Sequence, residues 1–115
     1  MTSAAGPPVF GVKAELFKTL AHPTRVRALE VLADGERSVS DLAAEVEVEL
    51  PHLSQQLAVL RKGGLVETRR EATTVYYAIR EPLLVELLAV ARRLLISGLE
   101  GSTALLDDLR AEDAP

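Results

Sequence analysis

The sequence predicts a mainly helical fold carrying one β-hairpin, and three observations predict it. Apolar residues recur at three- and four-residue steps over most of the chain, the mark of amphipathic helices. One stretch, residues 65–80, breaks that period: Val75, Tyr77 and Ile79 alternate with Tyr76 and Ala78, and β-branched residues are dense. Aromatic residues make up only 3% of a chain that is 48% hydrophobic. The core must therefore be built from Leu, Val and Ala, which suits helix packed on helix.

Residues 1–8, MTSAAGPP, are small, polar and proline-rich and are expected to be disordered. Residues 9–115 are read as a single domain. A first helix is expected from about Val12 to Ala21, with Leu16, Phe17 and Leu20 on one side. Pro23 suits the first turn of a second helix, where its missing N–H removes no hydrogen bond. Val26, Leu29, Val31 and Leu32 mark that helix, and Asp34-Gly35 ends it. Ser38 and Asp41 fit a capping box that starts a short helix to about Val46, burying Leu42 and Val46.

Residues 47–49 link this helix to another, with Pro51 in its first turn. Leu53, Leu57 and Leu60 form its buried stripe; His52, Gln55, Gln56 and Val59 fall on the other side. Gly63-Gly64 terminates it. Two antiparallel strands, 65–70 and 74–80, follow, joined by Glu71, Ala72 and Thr73. Pro82 opens a long helix to about residue 99 that is apolar on more than one face, with Leu83, Leu84, Leu87, Leu88, Val90, Ala91, Leu94, Leu95 and Leu99. A monomer of this size cannot cover all of them, so a homodimer is expected. Gly98 and Gly101 bend or break this helix, and Leu105, Leu106 and Leu109 mark a short final one.

Composition excludes several function classes. With no cysteine there is no disulfide, thiolate ligand or thiol switch. Two histidines are too few for most transition-metal sites, and neither metal nor cofactor is expected. No apolar run approaches the ~18 residues of a membrane span, and the first nine residues lack the basic start and apolar core of a signal peptide. A cytoplasmic protein is expected. No Ser/His/Asp or Cys/His set and no phosphate-cradling glycine motif speaks for an enzyme.

The net charge of −4 argues against nucleic acid until its distribution is read. Residues 1–50 carry −3 and residues 81–115 carry −4, whereas residues 51–80 carry +3 from Arg61, Lys62, Arg69, Arg70 and Arg80 against two acids. Local field, not total charge, governs the approach to phosphate. Two helices joined by a short turn and followed by a hairpin make a winged helix-turn-helix. The second helix of such a motif enters the major groove, about 12 Å wide, by its N-terminal half. That half presents His52, Ser54, Gln55 and Gln56, the candidate base contacts. Gln can pair with adenine N6 and N7, and Ser can donate or accept. Arg61 and Lys62 at the far end of the helix, Arg69 and Arg70 on the first strand, and the hairpin-tip hydroxyls of Thr73 and Thr74 are the candidate phosphate contacts. Double-stranded DNA is the expected partner.

The stretches LAHPTRVRALEVL (Leu20–Leu32) and LSQQLAVLRKGGLV (Leu53–Val66) resemble the ArsR/SmtB-type bacterial repressors, and the likeness runs over about residues 10–99. The resemblance implies a homodimeric winged helix whose first and last helices form the interface. In this sequence those helices carry Leu16, Phe17, Leu84, Leu87, Leu88, Ala91, Leu95 and Leu99. It also implies repression by operator binding, released by a ligand. Metal-sensing members hold CVCDL where this chain has SVSDL, and a hydroxyl cannot replace a thiolate as a soft ligand. The second family metal site uses His on the last long helix, and residues 82–99 contain none. The resemblance therefore implies a member that does not sense metal, and leaves a small-molecule or protein effector open.

Other departures concern the DNA face. Glu47 stands at the family's turn glycine, and Glu49 at its Ser/Thr cap. The hairpin tip, Ala72-Thr73-Thr74, lacks the glycine and the bases of the family's wing. These acids, with the acidic total charge, support a rival reading: a winged-helix protein-interaction module with weak DNA binding. His22 reads as structural and Ser38 as a helix cap. Arg25 and Arg27 are read either as phosphate contacts or as partners of Glu30 or Glu49. Arg92 and Arg93 are expected at the surface beside the dimer seam.

Overall fold

The computed structural model describes residues 8–98 and 103–112. The elements run α1 (Val9–Leu20), α2 (Pro23–Leu32), β1 (Arg37–Ser38), α3 (Val39–Val46), α4 (Leu50–Lys62), β2 (Val66–Glu71), β3 (Thr74–Ile79), α5 (Pro82–Gly98) and α6 (Thr103–Ala111). They fall into two compact units, one ending at Glu81 and the other starting at Pro82. Leu99 and residues 1–7, for which a dimer contact and disorder were expected, lie outside the described residues. No helix among the described residues is long and apolar enough to cross a membrane.

In the first unit, α2, α3, α4 and the start of β2 enclose the core of Ala28, Leu29, Val31, Leu32, Leu42, Leu53, Leu57, Leu60 and Val66. Leu53, Leu57 and Leu60 are fully buried, as their i, i+4, i+7 spacing predicts. Val46 is only half-buried, because it sits in the last turn of α3. Helix α1 starts three residues earlier than expected and buries none of its residues. Val9, Phe10, Val12 and Phe17 are all more than half exposed. Beside α1 lies an open groove of about 450 Å³, lined by Val12, Glu15, Leu16, Thr19, Gly63 and Leu65.

The helix ends show why the elements stop where they do. His22 caps α2: its Nδ1 accepts from the Thr24 N–H at 3.1 Å, which assigns this predicted structural histidine its task. Ser38 Oγ accepts from the Asp41 N–H at 3.2 Å, the Ser half of the expected capping box. Helix α3 ends in a left-handed turn at Glu47 (φ 63°, ψ 47°), with the N–H groups of Glu47 and Val48 both returning to the Ala43 carbonyl. Glycine adopts that conformation without penalty, and a glutamate does not. Helix α4 ends through Gly64 at φ +77°, with the Leu65 N–H donating to the Leu60 carbonyl.

Strands β2 and β3 form the expected hairpin, in register from Val66 opposite Ile79 to Glu71 opposite Thr74. The turn closes tightly on Ala72 (φ 56°) and Thr73. A third strand was not expected: β1 pairs antiparallel with β3, Arg37 opposite Tyr77 and Ser38 opposite Tyr76, giving the order β1-β3-β2. Two residues are too few to show a period.

In the second unit, Leu84 is buried on α5, while Leu83, Val90, Leu94 and Leu95 are exposed. Arg92 corrects an expectation. It is half-buried rather than a surface position, paired with Glu112 at 3.0 Å and donating to the Leu109 carbonyl. Arg93 is exposed as expected.

Candidate nucleic-acid interface

Helix α4 places the candidate base contacts by angle. At about 100° per residue, Gln56 falls beside the buried leucine stripe and Gln55 opposite it, with Ser54 and His52 on the two flanks. Ser54 and Gln55 are accordingly exposed, and Gln56 is half-buried. His52, expected to be exposed, is half-buried as well: its Nε2 lies 3.2 Å from Thr24 Oγ1, and its ring centroid is 5.9 Å from that of His22. Gln56 accepts at Oε1 from the Arg25 Nη1–H at 2.7 Å, while Arg25 Nε–H donates to the Thr19 carbonyl at 2.7 Å. Of the two readings of Arg25, phosphate contact or partner of Glu30 or Glu49, the described residues show neither: its guanidinium is bound to two neutral acceptors. Arg27 does lie near Glu30, at 3.9 Å. The four side chains thus divide into two classes, an outward pair and a pair held by the first turn of α2.

No side chain caps the N-terminus of α4. Its first-turn N–H groups and the positive end of the helix dipole suit an anion. Glu47 and Glu49, both exposed, oppose one there. At the other end Arg61 and Lys62 are exposed and make no ion pair among the described residues.

The hairpin separates its two arginines. Neighbouring residues of a strand point to opposite faces, and the register sets Arg69 opposite Tyr76 and Arg70 opposite Val75. Arg69 is committed within the protein: its Nε and Nη2 donate to the two carboxylate oxygens of Glu36, each at 2.7 Å. Its guanidinium also lies 4.4 Å from the centre of the Tyr76 ring. The hydrogen bond from Arg69 holds the Glu36 carboxyl below its usual range, and the same bond raises Arg69. Arg70 is exposed and unpaired among the described residues. At the tip Thr73 is exposed and Thr74 half-buried.

Of the candidate dimer residues, Phe17, Ala91 and Leu95 are exposed, Leu16, Leu87 and Leu88 half-buried, and Leu84 already buried within the chain. Among the described residues no three His, Cys, Asp or Glu side chains gather as a metal site would require. Thr24, Glu36 and Tyr76 were missed as parts of this surface, and Arg25, read as a phosphate contact or an ion-pair partner, was not tied to Gln56. Their partners are 28 to 33 residues away except for Tyr76, whose place opposite Arg69 follows from the hairpin register.

Comparison with known proteins agrees with this geometry. The family model described as bacterial regulatory protein, arsR family, matches residues 22–68, from the cap of α2 to β2. The HTH-type transcriptional regulator Rv0081 of Mycobacterium tuberculosis is 50% identical over 105 residues, 90% of this chain and 92% of that protein. Its crystal structure superposes with a TM-score of 0.77, at 46% identity, covering 85% of this chain and 99% of that one. The biofilm growth-associated repressor of Agrobacterium fabrum is 52% identical over 68 residues, 59% of this chain and 58% of that protein. A homodimeric winged helix-turn-helix DNA-binding domain from Mycobacterium bovis matches with a TM-score of 0.74 at 33% identity, covering 86% of this chain and 95% of that one. The chain belongs to the ArsR family and is a winged helix-turn-helix transcriptional regulator.

Proposed function

We propose that the protein is a homodimeric repressor that binds an inverted-repeat operator with α4 in the major groove, working in the cytoplasm and without enzymatic activity. The observation that carries this reading is the outer edge of α4, where Ser54 and Gln55 are exposed between an uncapped helix start and Arg61 and Lys62, which are unpaired among the described residues. Ser54 and Gln55 read base edges, and Arg61, Lys62 and Arg70 hold phosphates. The exposed apolar faces of α1 and α5 support self-association, because a chain of this size gains little by leaving Phe10, Phe17, Leu94 and Leu95 in water. Two recognition helices of a dimer sit about 34 Å apart, one turn of DNA.

One observation favours a second reading, an interaction module with weak DNA affinity: Glu47 and Glu49 are exposed at the start of α4, and Arg69 is neutralised by Glu36. Fluorescence anisotropy with DNA from upstream of the protein's own gene separates the two. A repressor touching about 6–10 phosphates loses on the order of a thousandfold in affinity between 50 and 200 mM salt and resists scrambled competitor. Binding equal to that of scrambled DNA supports the module. Leu95→Glu, on an exposed position, should give a monomer in sedimentation; a dimeric mass would move the interface off α5.

A further inference from the structure

We propose that Arg25 is a specificity-determining positioning residue: by holding Gln56 Oε1, it leaves the Gln56 amide NH2 as the group offered to DNA, so that Gln56 selects a hydrogen-bond acceptor on a base edge and rejects cytosine. The inference rests on the DNA-reading function proposed above.

The orientation of the amide follows from chemistry. A guanidinium has five N–H donors and no acceptor, so the group it meets at 2.7 Å must be the carbonyl oxygen of Gln56. Turning the amide over would set two N–H donors against each other. The guanidinium is itself fixed, because its Nε–H is bound to the Thr19 carbonyl at 2.7 Å at the end of α1. The planar fork thus spans from α1 to α4, and a charge-assisted bond of this length is of the stronger kind. No other hydrogen bond holds the Gln56 side chain among the described residues, and its Nε2 keeps both donors.

An unrestrained Gln rotates its amide and pairs with adenine through both of its ends. Gln56 has its acceptor end engaged by a cation and its donor end free. The acceptors in the major groove are purine N7, guanine O6 and thymine O4, whereas cytosine offers only the N4–H2 donor. Gln55, exposed and without a hydrogen bond among the described residues, keeps the full choice. Adjacent glutamines are therefore given different reading rules by one arginine on α2.

The test is selection of bound duplexes from a library randomised across a half-site, with the wild type, Arg25→Ala, Gln56→Ala and Gln56→Glu. Gln56→Ala identifies the position that Gln56 reads. At that position Arg25→Ala should lose a cytosine discrimination of about fivefold or more. A fifth protein combining Arg25→Ala with Gln56→Ala should be no worse there than Gln56→Ala alone, since the two residues act as one unit. Gln56→Glu keeps an acceptor for Arg25 and removes the donor, so it should turn the preference toward cytosine, whose N4–H2 a carboxylate accepts. It carries the test alone if thermal melts show that Arg25→Ala does not fold. A uniform loss over all sequences in Arg25→Ala, with a shallower salt dependence, would make Arg25 a phosphate contact and overturn the proposal. Cytosine discrimination retained in Arg25→Ala, or unchanged in Gln56→Glu, would overturn it while leaving the DNA-reading function standing. A wild type with no base preference at all would overturn both.

Discussion

Helix α4 and the β2–β3 hairpin carry the same basic stretch of sequence, yet they leave their side chains in opposite states. On α4, Ser54, Gln55, Arg61 and Lys62 face solvent without ion-pair partners among the described residues. On the hairpin, Arg69 is bound to both oxygens of Glu36 and laid against Tyr76, and only Arg70 remains open. A base that already has its carboxylate must give it up to meet a phosphate. Counting bases along the sequence therefore overstates the hairpin and understates α4. We therefore propose that the helix does the reading and that Arg70 is the hairpin's phosphate contact in each protomer.

Changes on the core side of α4 should have the largest effect. Leu57 is fully buried between its stripe neighbours, so Leu57→Ala should cost about 2–5 kcal/mol in thermal or urea unfolding. A loss below ~1 kcal/mol would mean that α4 is not anchored as described. Next, Arg70→Ala should weaken binding to all DNA alike and reduce the salt slope by about one per protomer, while Arg69→Ala should leave the slope unchanged. Equal slopes for the two variants would erase the contrast between the faces of the hairpin.

Glu47→Gly should stabilise the fold by ~1 kcal/mol, because it removes a side chain from a left-handed residue. It should also raise non-specific DNA affinity by taking a carboxylate from the start of α4. The smallest effect concerns pH. Glu36 is held below its usual range by Arg69, so the pair's contribution is complete above the unfolded carboxylate pKa and is lost as pH falls through the lowered folded value. Acid melts of Glu36→Gln should therefore be flatter than those of the wild type in that window; parallel curves would show that the pair adds nothing.

Much of this contrast was legible in the residues, and the rest was hidden for physical reasons. The stripe Leu53, Leu57, Leu60 announces which side of α4 is buried, and Pro51 and Gly63-Gly64 announce its ends. The same wheel that fixes the stripe places Gln56 next to it, so its half-burial follows from the sequence once the angles are read; His52 lies as far round as the exposed Ser54 and is half-buried where it meets Thr24 of α2. Alternation along a strand likewise says that Arg69 and Arg70 cannot share one target. What periodicity cannot supply is the partner. Glu36 and Arg69 are 33 residues apart, and Arg25 and Gln56 are 31 apart. Only the tertiary fold brings them together. Strand β1 escaped because two residues, Arg37 and Ser38, pair with β3 by position alone.

In the proposed function the outward edge of α4 reads sequence while the basic residues only hold the backbone. The most direct measurement is the ratio of operator to scrambled-DNA affinity for the wild type and Gln55→Ala, taken by anisotropy at two salt concentrations. Gln55 is exposed opposite the buried stripe, so the variant should fold unchanged. The specificity ratio should fall by about 1–3 kcal/mol, with scrambled-DNA affinity and salt slope as in the wild type. An unchanged ratio, or an equal loss on both DNAs, would contradict it.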